Sequence, residues 1–473
     1  MVFKSLTEVS DLIRQRTISP VEVTEACLAR IEKLNPVLNA FITVTAESAL
    51  QEARKAEAEI MRGEWRGPLH GVPLAIKDLV ETAGVATTAG SAVLKDFIPA
   101  QDAVVVQKLR AAGVVLLGKL NLHEFAYGGS AIISHFGTVR NPWDTKRITG
   151  GSSSGSAASV AAGLCYGAIG TDTGGSIRLP AAMCGIVGFK PTYGLVSTRG
   201  VIPLCWSYDH VGPMTRTVTD AALMLAVIAG YDSQDACSRE FPAIDYTALL
   251  SGDAQAKKCA SLRLGVVRGV FCEKLDTEIE KAITDAVSVL GKITTETQDI
   301  QLPDSPDRTV FRCEPYAYHQ KYLATRADQY HPETLRRIRA GAAITAAEYI
   351  EKRRELELER REVEKVFQKV DLLVTPTCPI LPPEIAALEA APDDLREKEL
   401  LMLRNTRPFN ILGLPTISIP CGFSQSGLPI GLQITGASGA EEKVLMLAHV
   451  YERATKWHTR KPSGLFTAEA LSR

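Results

Sequence analysis

The stretch from Gly150 to Lys190 constrains this chain more than any other. It holds two clusters of small residues and hydroxyls, Gly150-Gly151-Ser152-Ser153-Ser154-Gly155-Ser156 and Thr171-Asp172-Thr173-Gly174-Gly175-Ser176-Ile177-Arg178. Between them, Ala157 to Gly170 is a small-residue segment with almost no charge. Gly/Ser-rich linkers are polar and repetitive. Here the glycines flank an apolar run, which points to backbone packed inside a fold. Hydroxyls and permissive backbone held together by buried structure suit nucleophilic catalysis. One oxygen attacks, and main-chain N–H groups receive the developing oxyanion.

The rest of the chain can supply that burial. Its 473 residues are 45% hydrophobic, enough for one large domain or two to three ordinary ones. A formal net charge of -1 gives no field to hold nucleic acid or an anionic membrane. No run approaches the roughly 18–20 apolar residues of a membrane span. The start, Met1-Val2-Phe3-Lys4-Ser5, lacks the basic-then-apolar order of a signal peptide, so a cytoplasmic location is expected. The ten cysteines are scattered, without a C-x-x-C pair, and read as reduced core residues. The eight histidines show no ligand spacing such as H-E-x-x-H, so a metal site is not expected.

Local signals place the elements. Ser5-x-x-Glu8 and Ser19-Pro20-Val21-Glu22 are capping boxes opening helices, the second ending near Asn35-Pro36. Phe41 to Val44 is a strand or a turn-like connection, and Thr45 to Arg62 a helix stopped by Gly63. Gly71-Val72-Pro73-Leu74-Ala75-Ile76-Lys77-Asp78 reads as a buried strand ending on a charge, which desolvates Lys77. Asp102 to Ala112 is a helix and Val114 to Leu117 a strand. Gly113 to Lys119 nearly spells a phosphate loop, but Leu120 replaces the hydroxyl residue and the apolar run suits a strand. Ala221 to Ala229 is a helix capped at Thr217, and 233–260 an irregular surface connection. Leu262 to Val267, Thr277 to Leu290 and Ile293 to Leu302 read as strand, helix, strand. Residues 308–370 are helical with a solvated charged face. Asp371 to Thr375 is a strand, followed after Cys378 by an irregular excursion. Glu397 to Leu412 is helical, Thr416 to Ile419 and Gly431 to Ile434 are strands, and Glu441 to Trp457 is the last helix. This alternation predicts one large α/β domain over residues 1–473, with a central mixed sheet covered by helices on both faces.

Two readings of the serines follow. Gly151-Ser152-Ser153-Ser154-Gly155 matches the G-x-S-x-G elbow of serine esterases, which would make Ser153 the nucleophile and require His449 or His458 downstream. The longer pattern reads differently. The stretch from Gly150 to Pro191, closing on Cys184-Gly185-Ile186-Val187-Gly188-Phe189-Lys190-Pro191-Thr192, resembles the amidase signature. So do Gly71 to Asp78, Asp209-His210-Val211-Gly212-Pro213, Leu373-Val374-Thr375-Pro376-Thr377 and Phe409-Asn410 with Gly413-Leu414-Pro415. The resemblance spans nearly the whole chain.

The amidase signature family implies a Ser-Ser-Lys triad. The general base falls on Lys77, the bridging serine on Ser152 after a cis Gly151–Ser152 bond, and the nucleophile on Ser176. The oxyanion hole falls on the N–H groups of Thr173, Gly174, Gly175 and Ser176. Within the domain the resemblance sets N-terminal helices at 1–65, the signature core at 66–230 and the 308–370 excursion near the substrate. Phe125, Tyr127, Gly128 and Gly129 are expected along the acyl pocket, with Trp206, Tyr208, Tyr316 and Tyr318 as further pocket candidates. Asp172 and Arg178 are expected to pair and fix the loop. A free lysine is neutral in only about one molecule in 2,500 at pH 7, so the base works only if burial lowers its pKa.

The implied activity is hydrolysis of a small linear amide, and of a carbamate, anilide or ester by the same acyl chemistry, without a cofactor. Family members often pair as homodimers. The alternative within the family is an amidotransferase A-type subunit that releases ammonia from glutamine for a partner acting on charged tRNA. The segment Arg199 to Asp209 looks more like the free-standing enzymes. From another class, a non-catalytic binding protein is disfavoured by the presence of all three triad positions.

Overall fold

Eleven strands form one mixed sheet through the middle of the protein. The computed structural model describes residues 1–248, 254–302, 307–463 and 465. Two capped helices open the chain, α1 (Leu6–Arg14) and α2 (Pro20–Leu38). Ser5 and Ser19 each accept an N–H from the glutamate three residues on and give their own N–H to its carboxylate. α2 does not stop before Pro36 but carries it in the last turn. Leu34 and Leu38 are buried, and Asn39 closes the helix in a left-handed conformation with its N–H on the Asn35 carbonyl. That burial and cap outweigh the one N–H the proline lacks.

β1 (Phe41–Val44) is a strand, followed by α3 (Ala46–Met61), β2 (Pro73–Lys77), α4 (Val104–Ala111) and β3 (Val115–Leu120). Lys119 lies within β3, buried, with its ammonium 3.0 Å from the Asp78 carboxylate and 2.6 Å from the Thr87 hydroxyl, so it serves no phosphate loop. A hairpin, β4 (Arg140–Asn141) and β5 (Asp144–Ile148), precedes the serine cluster. The Gly150–Lys190 stretch folds into α5 (Ser154–Ala161), β6 (Gly167–Asp172), α6 (Arg178–Cys184) and β7 (Val187–Lys190). β8 (His210–Thr215) and α7 (Val218–Ile228) follow. The polar connection at 233–260 contains a short helix, α8 (Ala254–Cys259), where the sequence suggested none; its residues 249–253 lie outside the described ones.

Then come β9 (Arg263–Val267), α9 (Thr277–Ile293), β10 (Glu296–Ile300), α10 (Thr309–Arg326), α11 (Pro332–Arg339), α12 (Ala346–Glu362) and β11 (Leu372–Pro376). The excursion after Cys378 includes α13 (Ile385–Glu389). The helix expected over Glu397–Leu412 is two, α14 (Leu395–Met402) and α15 (Arg407–Ile411). The chain restarts with Pro408 in the first turn of α15, where its missing N–H costs nothing. β12 (Thr416–Phe423), β13 (Pro429–Gly436) and α16 (Glu441–Thr455) complete the chain.

The strand order is β1-β3-β2-β6-β8-β7-β12-β13-β11-β9-β10. β2 runs parallel to β3 and β6, and β9 parallel to β10 and β11; the other pairs are antiparallel. Every residue of β2, β3, β6 and β8 is buried, as strands covered by helices on both faces require. All ten cysteines are free thiols; Cys237, Cys272 and Cys313 are only partly buried, against the expectation that all ten are core. Among the described residues no helix is long and apolar enough to cross a membrane, and no group of His, Cys, Asp and Glu could hold a metal ion.

Candidate active site

β2 ends on Lys77, which is 0% exposed. The parallel register sets Ile76 beside Ile169 of β6, so the lysine points along the Thr171 end of that strand. Its ammonium lies 2.7 Å from Ser152 Oγ and 2.7 Å from Thr171 Oγ1. Burial pushes its pKa down to about 7, and the negative charges of Asp172 and Asp209 hold it from falling further. Ser152 precedes α5, after a Gly151–Ser152 peptide bond that is cis.

The loop carrying Ser176 is wrapped around one carboxylate. Asp172, at the end of β6, accepts the N–H groups of Gly175 (2.8 Å) and Ile177 (3.0 Å). It also takes both Nε and Nη2 of Arg178 at 3.0 Å. Both residues are fully buried. Burial opposes the charge on Asp172, but Arg178, aided by Lys190 and Asn410, holds the carboxyl well below the usual range. The pair thus fixes the loop from inside. Because the Gly175 N–H is engaged by Asp172, it is not aimed at a ligand, unlike the four-donor expectation; Thr173, Gly174 and Ser176 are left as candidate donors.

The outer side of the loop is held as tightly. Thr173 Oγ1 donates to Asp209 Oδ1 at 2.6 Å, and Asp209 also accepts the N–H groups of Leu204 and Cys205. Burial pushes the Asp209 carboxyl up to about 7. Thr406 Oγ1 donates to the Gly174 carbonyl at 2.7 Å. Gly175 has φ +133°, and a Cβ there would stand 2.0 Å from Thr406 Oγ1. Only glycine satisfies both the conformation and the contact.

Ser176 and Gly174 border a narrow cleft. Of the expected pocket residues, Tyr127, Gly128 and Tyr208 line it. Gly129 instead accepts the Gly151 N–H at 2.7 Å and so steadies the serine cluster. Phe125 does not line the cleft. Its left-handed backbone (φ 49°, ψ 28°) turns the ring onto His319 and Tyr330. Tyr318 and Trp206 meet edge to face at 6.4 Å, and Tyr316 and Tyr318 both pack against the hydrophobic cluster that holds Phe125 and Tyr330. Sequence reading missed Thr171, Asp209 and three arginines of the cleft, Arg308, Arg396 and Arg407. These arginines come from segments 308–330 and 400–440 or their flanks, where no local pattern singles out a pocket position.

The elbow reading finds no support in the geometry. The Ser153 hydroxyl donates to the Thr171 carbonyl at 3.1 Å, and His449 faces Thr219.

Comparison with known proteins points to one family. A sequence model of the amidase family matches residues 22–445. The A-type subunit of the glutamyl-tRNA(Gln) amidotransferase of Methylococcus capsulatus is 42% identical, over 98% of this chain and 99% of its own. Among solved structures, 6-aminohexanoate cyclic dimer hydrolase superposes with a TM-score of 0.89 at 31% identity, over 98% of this chain and 99% of that one. The peptide amidase of Stenotrophomonas maltophilia does so with a TM-score of 0.84 at 31% identity, over 98% and 99%.

Proposed function

The chain belongs to the amidase family of amide-cleaving enzymes, and we propose that it hydrolyses a small carboxylic amide through an acyl-enzyme on Ser176. The observation that carries this reading is the buried Lys77, 2.7 Å from Ser152 Oγ with a pKa of about 7. Neutral Lys77 takes the proton of Ser152 as Ser152 takes that of Ser176. The freed Ser176 oxygen bonds to the amide carbon. The carbonyl oxygen becomes an oxyanion, received by the N–H groups of Thr173, Gly174 and Ser176. As the tetrahedral centre collapses, the C–N bond breaks and the amine leaves with the proton returned through Ser152. Water then attacks the acyl ester, its proton following the same path. The acid departs and the Ser176 hydroxyl is restored.

We further propose that the enzyme works without a partner protein. The hydrolase and the peptide amidase among its structural neighbours, and the segment Arg199 to Asp209, support this. One observation favours a second reading, an amidotransferase A-type subunit: the 42% identity to such a protein over nearly full length. Purified alone, a free-standing amidase releases ammonia from simple primary amides, and Ser176→Ala does not. Ammonia release from glutamine only when a partner protein is added would establish the second reading.

A further inference from the structure

The segment from His123 to Ala131 runs buried beside the serine cluster, in a conformation its residues do not favour. Phe125 (φ 49°), Ala126 (φ 58°) and Ala131 (φ 61°) all have left-handed backbone without being glycine. Such residues persist only where their surroundings enforce them. One carboxylate reaches this loop at several points. Glu399 of α14 is 0% exposed and does not itself line the cleft. Its Oε1 accepts the Ser130 hydroxyl at 2.7 Å and the Ser130 N–H at 3.2 Å. Its Oε2 takes Arg337 Nη1 at 2.8 Å, with Arg396 at 3.4 Å. The same Arg337 nitrogen donates to the Tyr127 carbonyl. A Cβ on Gly128 would stand 2.6 Å from Glu399 Oε1 and 2.1 Å from His123 Cε1, so the chain lies directly on this cluster. Burial opposes the charge on Glu399, but His123, Arg337 and Arg396 outweigh it and hold the carboxyl below its usual range.

The loop in turn grips the serine that faces Lys77. The Gly129 carbonyl accepts the Gly151 N–H at 2.7 Å, and the His123 N–H donates to the Ser152 carbonyl at 3.2 Å. The main chain is therefore held on both sides of the Gly151–Ser152 link. Ser152 Oγ stands 2.7 Å from the lysine nitrogen. A proton passes between such atoms only within hydrogen-bond reach, so a small displacement of this backbone costs rate.

We propose that Glu399 is a positioning residue for the relay: its buried negative charge holds the strained 123–131 loop, and the loop holds Ser152 against Lys77. This rests on the reading of Ser152 as the bridge between Lys77 and Ser176. Glutamine at 399 would keep the size but turn an amide N–H₂ toward groups that are themselves donors.

The test follows labelling of Ser176 by a fluorophosphonate probe on the full chain, over a range of probe concentrations. Glu399→Gln is expected to lower the limiting rate by about ten- to a hundredfold and to leave the half-saturating concentration within about twofold. Hydrogen exchange read by mass spectrometry should quicken in peptides covering both 120–131 and 149–154, with β12 and β13 unchanged. Ser130→Ala removes one donor without leaving a charge unpaired, and should move both readouts the same way by less; it carries the test if the glutamine variant fails to fold. Absence of label on Ser176 in the native chain would overturn the nucleophile reading and this inference with it. Native labelling rates in the variants would overturn this inference alone. So would a raised half-saturating concentration at an unchanged limiting rate, which would limit Glu399 to shaping the cleft wall. Faster exchange at 120–131 without a change at 149–154, or an equal rise in β12 and β13, would overturn it as well.

Discussion

At the scale of single residues, the proposed relay turns on whether Lys77 is charged. The protonated amine cannot accept a proton, so the folded-state pKa of about 7 sets the acid side of the activity profile. kcat/KM is expected to fall about tenfold per pH unit well below that value and to level off above it. Lys77→Met should lower kcat by roughly 100- to 10,000-fold, the range of a lost general base, and remove this limb. Asp209 titrates in the same window, pushed up to about 7 by burial, so the limb belongs to both groups. An anionic Asp209 favours protonated Lys77. Asp209→Asn is therefore expected to move the midpoint below 7, a shift that a loss of packing alone does not produce. The burial of Lys77 was legible in the sequence because an apolar strand runs directly into it, whereas its proposed role came from the family resemblance. Arg308, Arg396 and Arg407 were not, because arginines from separate segments look like surface residues until tertiary structure gathers them.

At the scale of elements, the Ser176 loop is a turn folded over a buried ion pair. Removing one partner of such a pair typically costs about 3–5 kcal/mol, because the other charge stays buried. Arg178→Met is expected to destabilise the protein by about that much in urea unfolding and to slow probe labelling of Ser176. The sign of the pH dependence follows from Asp172. Its folded pKa lies below the unfolded value of about 3.9, so its stabilisation is present above that pH and fades as pH falls toward the folded value. Arg178→Met should therefore lose stability most at neutral pH and least in acid. A second test at this scale is Gly175→Ala, whose methyl would strike Thr406 while the backbone holds a positive φ. Activity and stability should both drop, and Thr406→Ala in the same chain should restore only a small part, because the Cβ at position 406 would still stand 2.6 Å from the new methyl and the conformation stays strained. The glycines announced this loop in the sequence. The elements around it, α5, β6, α6 and β7, stayed hidden because an almost uncharged run of small residues has no polar face to give a helix or strand period. The persistence of α2 through Pro36 and the division of α14 from α15 were also decided by tertiary burial and capping, which local propensity does not encode.

At the scale of the whole molecule, alternating strands and helices sufficed to read an α/β fold with a mixed sheet. The strand order was not legible, because buried strands of similar composition carry no label for their neighbours. That order matters to the site. β6 and β7 lie in the same sheet as β12 and β13, which bring the C-terminal third against the Ser176 loop. Asn410, 238 residues beyond Asp172, donates to its carbonyl at 2.9 Å and its carboxylate at 2.8 Å, and accepts from Arg178 at 2.6 Å. Gln433 accepts the remaining terminal nitrogen of Arg178 at 2.9 Å. The loop geometry is thus set jointly by two distant parts of the chain. Asn410→Leu leaves both charges of the ion pair in place but removes these bonds, each worth about 1.5–3 kcal/mol when made to a charged group. It is expected to slow Ser176 labelling and to lower the urea midpoint together. A variant that loses stability while labelling Ser176 at the native rate would show that the C-terminal third supports the fold without shaping the loop.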